Sequence, residues 1–243
     1  MLSVIIPTFN EEKYITKLLD SILIQNYKNY EIIIIDANSD DSTMKAVDAF
    51  IKDNKERLEY IQIRIRKVYY RNTARQKNLG YKVAYGSVLL FIDADIVIPD
   101  ENFFYRMMKK LEQKRYIGAT CKIIIDERNL KNRIASKSFN SIILMLNMIG
   151  INSARGGVQF VKRRYFEKVD GFNEKAYVSE DVDLCRRLTK YGRFYFDTKS
   201  YVIESDRRYK KEGYFKVISK WTINGIWTFF FRRSYHKKWD AVR

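Results

Sequence analysis

The sequence predicts an α/β fold, a doubly wound and mostly parallel sheet, and three observations predict it. Apolar runs at Leu2–Ile6, Ile32–Ile35 and Val88–Ile92 stop in turn on Pro7, Asp36 and Asp93. Segments with helical apolar spacing alternate with these runs from residue 2 to residue 98. Ile32–Ile35 is an unbroken β-branched run, as a strand covered on both faces requires. In a βαβαβαβ order with right-handed crossovers, every parallel strand ends on the same edge of the sheet, where ligands bind. Three strand ends would therefore deliver polar groups to one crevice.

Each element has its own reason. Leu2–Ile6 reads as a buried first strand. Residues 11–26 carry Ile15, Leu18, Leu19, Ile22 and Leu23 on one helical face. After the second strand, Ser39, Asp40 and Asp41 offer caps for a helix bearing Met44, Val47 and Phe50. An alternating strand from Tyr60 to Ile65, a helix near 73–84 and the strand Val88–Ile92 follow. Beyond Pro99 the alternation weakens. The spacing predicts helices over 101–114 and 129–149, strands over 117–125 and 158–161, and a helix starting near Ser179. Two strands, near 193–197 and 200–204, precede a helical stretch over 212–231.

Composition excludes several classes. The chain has 243 residues, 46% of them hydrophobic and 15% aromatic, which rules out a disordered polymer. A chain of this length buries roughly 70–75% of its unfolded surface and needs no staples. With two Cys (Cys121, Cys185) and one His (His236), neither a disulfide framework nor a zinc site of usual spacing is expected, and a reducing compartment is the default. Pro7 and Glu11–Glu12 directly after the first apolar run are wrong for a signal peptide, so no leader is expected. No uncharged apolar stretch reaches the length of a spanning helix. The net charge of +17 implies an anionic partner: nucleic acid, a membrane surface or a phosphorylated substrate.

Asp93-Ala94-Asp95 is the centre of the chemistry. Two carboxylates one residue apart, just past a buried strand, project into one cleft. With phosphate oxygens they suit Mg2+ or Mn2+. Read alone, the same motif also fits a solvated turn that caps a helix.

Taken together, the motifs resemble the family 2 (GT-A fold) inverting glycosyltransferases. The matching pieces run in family order. They are Ser3-Val4-Ile5-Ile6-Pro7-Thr8-Phe9-Asn10-Glu11-Glu12, Ile34-Ile35-Asp36-Ala37-Asn38-Ser39-Asp40-Asp41, Ala74-Arg75-Gln76-Lys77-Asn78-Leu79-Gly80 and Leu90-Phe91-Ile92-Asp93-Ala94-Asp95. Gly156-Gly157-Val158-Gln159-Phe160, Val169-Asp170-Gly171-Phe172 and Ser179-Glu180-Asp181-Val182-Asp183-Leu184 complete the set. The resemblance implies a Rossmann-like, doubly wound mixed sheet with helices on both faces. One domain would span 1–210, with a nucleotide-sugar half over about 1–98, an acceptor half over about 99–210, and a basic aromatic tail over 211–243.

Residue by residue, the resemblance implies that Pro7, Thr8, Asn10 and Glu11 line a nucleotide pocket and that Asp36 bonds the base or ribose. Arg75 would lie near the base and phosphates, Asp93 near the ribose or donor sugar, and Asp95, with Asp93, at a divalent metal. Asp181 matches the family's general base, with Glu180 beside it to raise or orient it. Gly156 and Gly157 match an acceptor-side loop. The physical needs agree, since a base must reach the acceptor hydroxyl and positive charge must meet the departing diphosphate. The competing reading of Glu180, Asp181 and Asp183 is an acidic first helical turn favoured by the helix dipole. The pattern departs from the family at Gln76, where many members carry Asn. It also lacks the late His that some metal-dependent members supply, since His236 lies in a basic tail and reads as a solvated surface group. Arg207 or Arg208, in Glu204-Ser205-Asp206-Arg207-Arg208, could instead bind the diphosphate, or both could be surface charges.

The positive charge is clustered. Seven basic residues and no acid lie between Arg64 and Lys82, and eleven basic residues oppose three acids between Asp206 and Arg243. In the tail, Tyr214, Val217, Ile218 and Trp221 share a helical stripe, and Ile223 to Phe231 are apolar nearly all round before Arg232-Arg233. Such a segment, with Ile142–Ile151, fits an anionic membrane surface, the protein's own core or a homo-oligomer interface. The reading that follows is a cytoplasmic enzyme, peripheral on the inner face of the cell membrane. It would move sugar from a nucleoside-diphosphate sugar to a glycan or lipid-linked acceptor. Two alternatives remain. A sugar nucleotidyltransferase would want a Gly-rich basic loop after the first strand, where Pro7–Glu12 is acidic and lacks glycine. A nucleic-acid-binding protein fits the charge, but no recognised motif supports it and the Asp cluster would repel phosphate, so no nucleic-acid partner is expected.

Overall fold

A computed structural model describes residues 1–125, 129–231 and 233–236. Its strands are β1 (Leu2–Thr8), β2 (Tyr30–Asp36), β3 (Gln62–Lys67), β4 (Val88–Ile92), β5 (Ile96–Val97), β6 (Tyr116–Ile125), β7 (Val158–Lys162) and β8 (Arg193–Glu204). They form one sheet in the order β3-β2-β1-β4-β7-β6-β8-β5. The helices are α1 (Ile15–Leu23), α2 (Thr43–Asp53), α3 (Thr73–Val83), α4 (Phe103–Glu112), α5 (Leu130–Met148), α6 (Arg163–Lys168), α7 (Glu180–Leu188), α8 (Arg207–Glu212) and α9 (Tyr214–Phe231).

The pleat of the central strands divides the core in two. Leu2, Val4, Ile6, Ile32, Ile34, Leu90 and Ile92 pack with α1, α2 and α4 on one face. The alternate residues Ile5, Ile33, Ile35, Leu89 and Phe91 pack on the other face with Ala74, Phe166, Phe172 and Leu184. Period-2 alternation with both sides apolar explains why these strands read as unbroken runs. The expected doubly wound mixed sheet with helices on both faces is what the chain adopts.

The sheet is parallel across β3, β2, β1 and β4, and β7 enters antiparallel to β4 with Val158 opposite Ile92. That reversal matters for the site. An antiparallel strand begins where its parallel neighbour ends, so Gly156 and Gly157 arrive at the edge occupied by Asp93. The next reversal repeats the device, with Ile96 of β5 opposite Glu204 at the end of β8.

Three local expectations change. The two strands near 193–197 and 200–204 are one strand, carried through a bulge where Cys121 pairs with Asp197 but Lys122 pairs with Tyr201. The buried Asp197 carboxylate closes this bulge by accepting from Ser200 Oγ (2.5 Å) and Lys199 N (2.9 Å). The C-terminal helix is two helices, α8 and α9, divided at Gly213, whose φ of 82° lies in the left-handed region that ends a helix. His236 is half-buried rather than solvated, with Nδ1 2.7 Å from Asn224 Nδ2 and its backbone N–H donating to Asn224 Oδ1 (3.1 Å). Arg232, Lys237, Lys238, Asp240 and Arg243, which contribute to the tail's charge, lie outside the described residues.

Candidate active site

The crevice is assembled from the C-terminal ends of β1, β2 and β4, the loop entering β7, the first turn of α7 and the segment leaving β8. Thr8 and Asp36 stand opposite each other in register at the ends of β1 and β2. Asp36 is almost fully buried, and its carboxylate accepts from Ser39 N (3.0 Å) and Ser39 Oγ (2.5 Å). Asn10, at φ 54°, donates its backbone N–H to Ser39 Oγ (2.9 Å), so the loops after β1 and β2 are clasped together. Asparagine tolerates this left-handed conformation better than most residues. Pro7 is partly buried and pairs in register with Ile35. Gln76 resolves the family departure structurally. Its buried amide donates to Thr8 O (3.1 Å) and Ile35 O (2.7 Å), tying α3 to the ends of both strands.

Two cations divide the acidic groups between them. Arg207, the first residue of α8, donates to both oxygens of Glu11 (2.6 and 2.7 Å) and lies 3.1 Å from Asp95 Oδ2. It also stacks on the Tyr14 ring, 4.7 Å from its centroid. Burial opposes its charge, but Glu11 and Asp95 outweigh that and raise its pKa. Asp95 is held close to this segment by the backbone too, since its carbonyl accepts from Ser205 N (3.3 Å).

Lys77 is the second cation, and sequence reasoning passed over it. Its side chain is 1% exposed, and Nζ donates to Glu180 Oε1 (2.8 Å) and Gly156 O (3.4 Å). Burial alone would lower its pKa; the carboxylates of Glu180, Asp93 and Asp181 raise it instead. One signal was available. Ala74, Lys77 and Gly80 share the i, i+3, i+6 stripe that α3 buries, so a lysine was placed on an inward face.

Asp181 follows Ser179, which sits at φ 64° just before α7. A non-glycine residue in that region is strained and persists only where its surroundings demand it. Burial, reinforced by the Glu180 charge, pushes the Asp181 carboxyl up to about 6, against the pull of Lys77. Asp93 goes further, to about 7, through burial and the Asp95 charge, with Lys77 opposing. The glycine pair lies between these two acids. A Cβ at Gly156 would stand 3.5 Å from Asp181 Oδ2, and one at Gly157 would stand 3.8 Å from Asp93 Oδ2. The Gly157 carbonyl accepts from Asp93 N (3.2 Å).

Some candidates stand apart. Arg75 is half exposed, paired with Glu174 (3.2 Å) and stacked over Tyr70 at 4.3 Å. Arg208 pairs with Glu212 one turn along α8 (2.8 Å), so of the two arginines it is Arg207 that touches Asp95. Asp183 of the acidic turn is buried and binds Arg187 one turn along α7 (2.7 Å). Arg155 was also unforeseen. It ion-pairs with Glu204 beside the glycine loop, and among the described residues its buried Nη1 has no hydrogen-bond partner.

Residues 3–170 match the family model for glycosyl transferase family 2. The chain belongs to glycosyl transferase family 2. The resemblance read from the motifs is thereby borne out. A glucuronosyltransferase of Methanococcus voltae, named for a dolichyl phosphate substrate, is 38% identical over 125 residues, 46% of this chain and 36% of its own length. A beta-1,3-glucosyltransferase of Campylobacter jejuni, named for an undecaprenol-linked substrate, is 32% identical over 136 residues, 56% of this chain and 42% of its own. The matches thus span less than half the length of these curated relatives. Among solved structures, the mannosyltransferase PcManGT of Pyrobaculum calidifontis, in complex with GDP-Man and Mn2+, superposes with a TM-score of 0.77 at 19% identity, covering 95% of this chain and 63% of that one. S. aureus TarS in complex with UDP-GlcNAc superposes at 0.64 and 20% identity, covering 85% of this chain and 58% of that one. At such identities these neighbours speak for the fold.

Proposed function

We propose that this family 2 chain transfers a glycosyl group, with inversion, from a nucleoside-diphosphate sugar to an acceptor hydroxyl, with Asp181 as general base. One observation carries the reading. The Asp181 carboxyl borders the glycine loop opposite Asp93, and its pKa of about 6 suits a group that must be ionised yet basic near neutrality. In the step, Asp181 takes the acceptor hydroxyl proton and the acceptor oxygen bonds to the anomeric carbon. The bond to the diphosphate breaks, and the leaving group departs with the electron pair.

The other residues take supporting roles in this reading. Pro7, Thr8, Asn10, Glu11 and Asp36 surround the nucleotide, and Arg207, beside Asp95, brings positive charge toward the diphosphate. Glu180 and Lys77 position Asp181, while Gly156 and Gly157 leave room for the acceptor. Among the described residues, no group of three or more His, Cys, Asp or Glu side chains forms a ready metal cage. Asp93 and Asp95 nevertheless offer two hard oxygen donors one residue apart at the end of β4, so the pair fits Mg2+ or Mn2+ completed by phosphate oxygens. Bound there, such an ion supplies positive charge to the departing diphosphate. The nucleotide sugars held by the solved neighbours support the donor class. The lipid-linked substrates named for two relatives support a lipid-linked acceptor and a peripheral location at the inner face of the cell membrane.

The test is direct. Thermal-shift titration with UDP-, GDP- and dTDP-sugars, with and without Mn2+, identifies the donor that binds. With that donor, Asp181→Asn is expected to lower turnover by about 10²–10⁴-fold while keeping donor affinity. Near-normal turnover in both Asp181→Asn and Asp95→Ala would falsify the mechanism.

A further inference from the structure

We infer that α9, with the adjoining outward face of α5, is a docking surface for an anionic lipid bilayer. Surface helices of water-soluble proteins turn their apolar stripe inward. In α9 the arrangement is inverted. Its inward positions include Asn224 and Thr228, both 0% exposed, with Asn224 Nδ2 donating to Lys220 O (2.7 Å) and lying against His236. Its outward positions are Phe215, Ile223, Ile226 and Phe230, with Phe215 87% and Phe230 68% exposed. At 3.6 residues per turn these four fall within about 80° of arc, so they form one stripe. Only the start of the helix behaves conventionally, where Val217 and Trp221 pack on Tyr209 and Phe139.

The neighbouring helix extends the surface. Phe139 of α5 meets Trp221 of α9 with ring centroids 5.7 Å apart, and Tyr214 Oη lies 2.5 Å from Asn132 Oδ1. The outward residues Ile142, Met145, Met148 and Ile149 at the end of α5 are all exposed. Neither helix contains an Asp or Glu. Exposed basic residues flank both apolar stretches: Lys131, Arg133 and Lys137 on α5, Lys211 just before α9 and Lys216 within it. No described helix is long and apolar enough to cross a membrane, so this pattern suits helices lying in the plane of the interface. Charge decides the occupant. A second copy would set two acid-free basic faces against each other, whereas anionic headgroups neutralise the lysines while acyl chains receive the aromatic stripe.

The surface also adjoins the acceptor side of the crevice. α9 packs on α7, with Arg186 over the Phe229 ring at 5.5 Å. Beyond its end, Ser234 Oγ accepts from Val178 N (2.8 Å) and donates to Val178 O (2.9 Å), two residues before Glu180. Docking would therefore hold the Glu180-Asp181 turn close to the bilayer. That consequence rests on the transfer reading; the docking itself does not.

The experiment is co-sedimentation of the full chain with vesicles of phosphatidylcholine alone, or of phosphatidylcholine and phosphatidylglycerol in equal parts. The chain is expected to bind the anionic vesicles, and Ile226→Asp with Phe230→Asp to weaken that binding at least about tenfold. Tyr60→Ser, at an exposed aromatic on the far side of the sheet, should leave it unchanged. Circular dichroism and thermal unfolding show whether the double variant is folded, and Phe215→Ser with Ile223→Ser serves as a second pair. Three outcomes overturn the inference: no binding to anionic vesicles, binding equal in both double variants, or a solution dimer that these variants convert to monomer. Donor binding measured on the same samples separates the two readings, because vesicle binding without nucleotide-sugar binding defeats the transfer reading alone.

Discussion

Lys77 and Arg207 neutralise one acidic crevice from positions 130 residues apart in the chain, and they do so on different terms. Lys77 rises from the middle of α3, its side chain 1% exposed, and is tied to Glu180 and to the carbonyl of Gly156. Arg207 opens a short helix, its side chain 15% exposed, and bridges Glu11 and Asp95. The first is a permanent counter-charge built into the core. The second holds the more buried Glu11 with both of its donors and meets the more exposed Asp95 through a single contact, the one it could exchange for the proposed diphosphate.

The sharpest way to break that comparison is to remove each cation. Lys77→Met leaves Glu180 partly buried and unpaired, and loss of one partner of a buried pair costs about 3–5 kcal/mol. A matching loss of stability in urea unfolding is expected, with recovery of part of it in Lys77→Arg. Arg207→Met should cost less stability than Lys77→Met, because Arg207 itself lies nearer the surface and its second partner, Asp95, is partly exposed. Its effect should fall on the donor instead, with nucleotide-sugar affinity down by about tenfold or more as a charge-assisted contact to phosphate is lost. Equal stability losses in the two variants would erase the distinction.

The pH profile sharpens the same contrast. In the proposed mechanism Asp181 serves as base only when ionised, and burial with the Glu180 charge sets its pKa at about 6. kcat/KM should therefore fall on the acid side of pH 6, by about tenfold per pH unit once the group is mostly protonated. Lys77 pulls that pKa down, so Lys77→Met is expected to move the acid limb upward. Arg207→Met should leave the limb in place, because its charge is spent on Glu11 and Asp95. A limb that stays put in both variants would detach Lys77 from the base.

How much of this was legible beforehand follows from physical causes. The front strands announced themselves because β1, β2 and β4 are apolar on both faces and stop at Pro7, Asp36 and Asp93. Asp36 and Asp93 were legible for the same reason, since each closes a strand run, whereas Glu180 and Asp181 open α7 and were singled out only through the family motif. Lys77 was one of seven basic residues between Arg64 and Lys82, with nothing local to separate it from the rest, and its partner Glu180 lies 103 residues away. The two-residue β5 was too short to leave a period, yet its pairing with Glu204 is what carries Arg207 to Asp95. The tail showed its stripe of Tyr214, Val217 and Trp221, which packs on the core. It gave no sign that Asn224 and Thr228 would turn inward while Phe230 turned out, because facing is decided by tertiary contacts that composition does not contain.

The smallest change tests where the acceptor enters. Gly156→Ala adds a methyl group at ordinary contact distance, 3.5 Å from Asp181 Oδ2. The nearest atoms all belong to the Asp181 side chain, so the fold has no reason to rearrange and Tm should hold. The methyl would occupy space directly before the proposed base. Acceptor KM is therefore expected to rise several-fold, on the order of 1 kcal/mol of lost binding, with donor affinity unchanged. The reverse result, weaker donor binding with acceptor KM intact, would move the acceptor away from the glycine loop and leave Lys77 with only a structural reason to hold it.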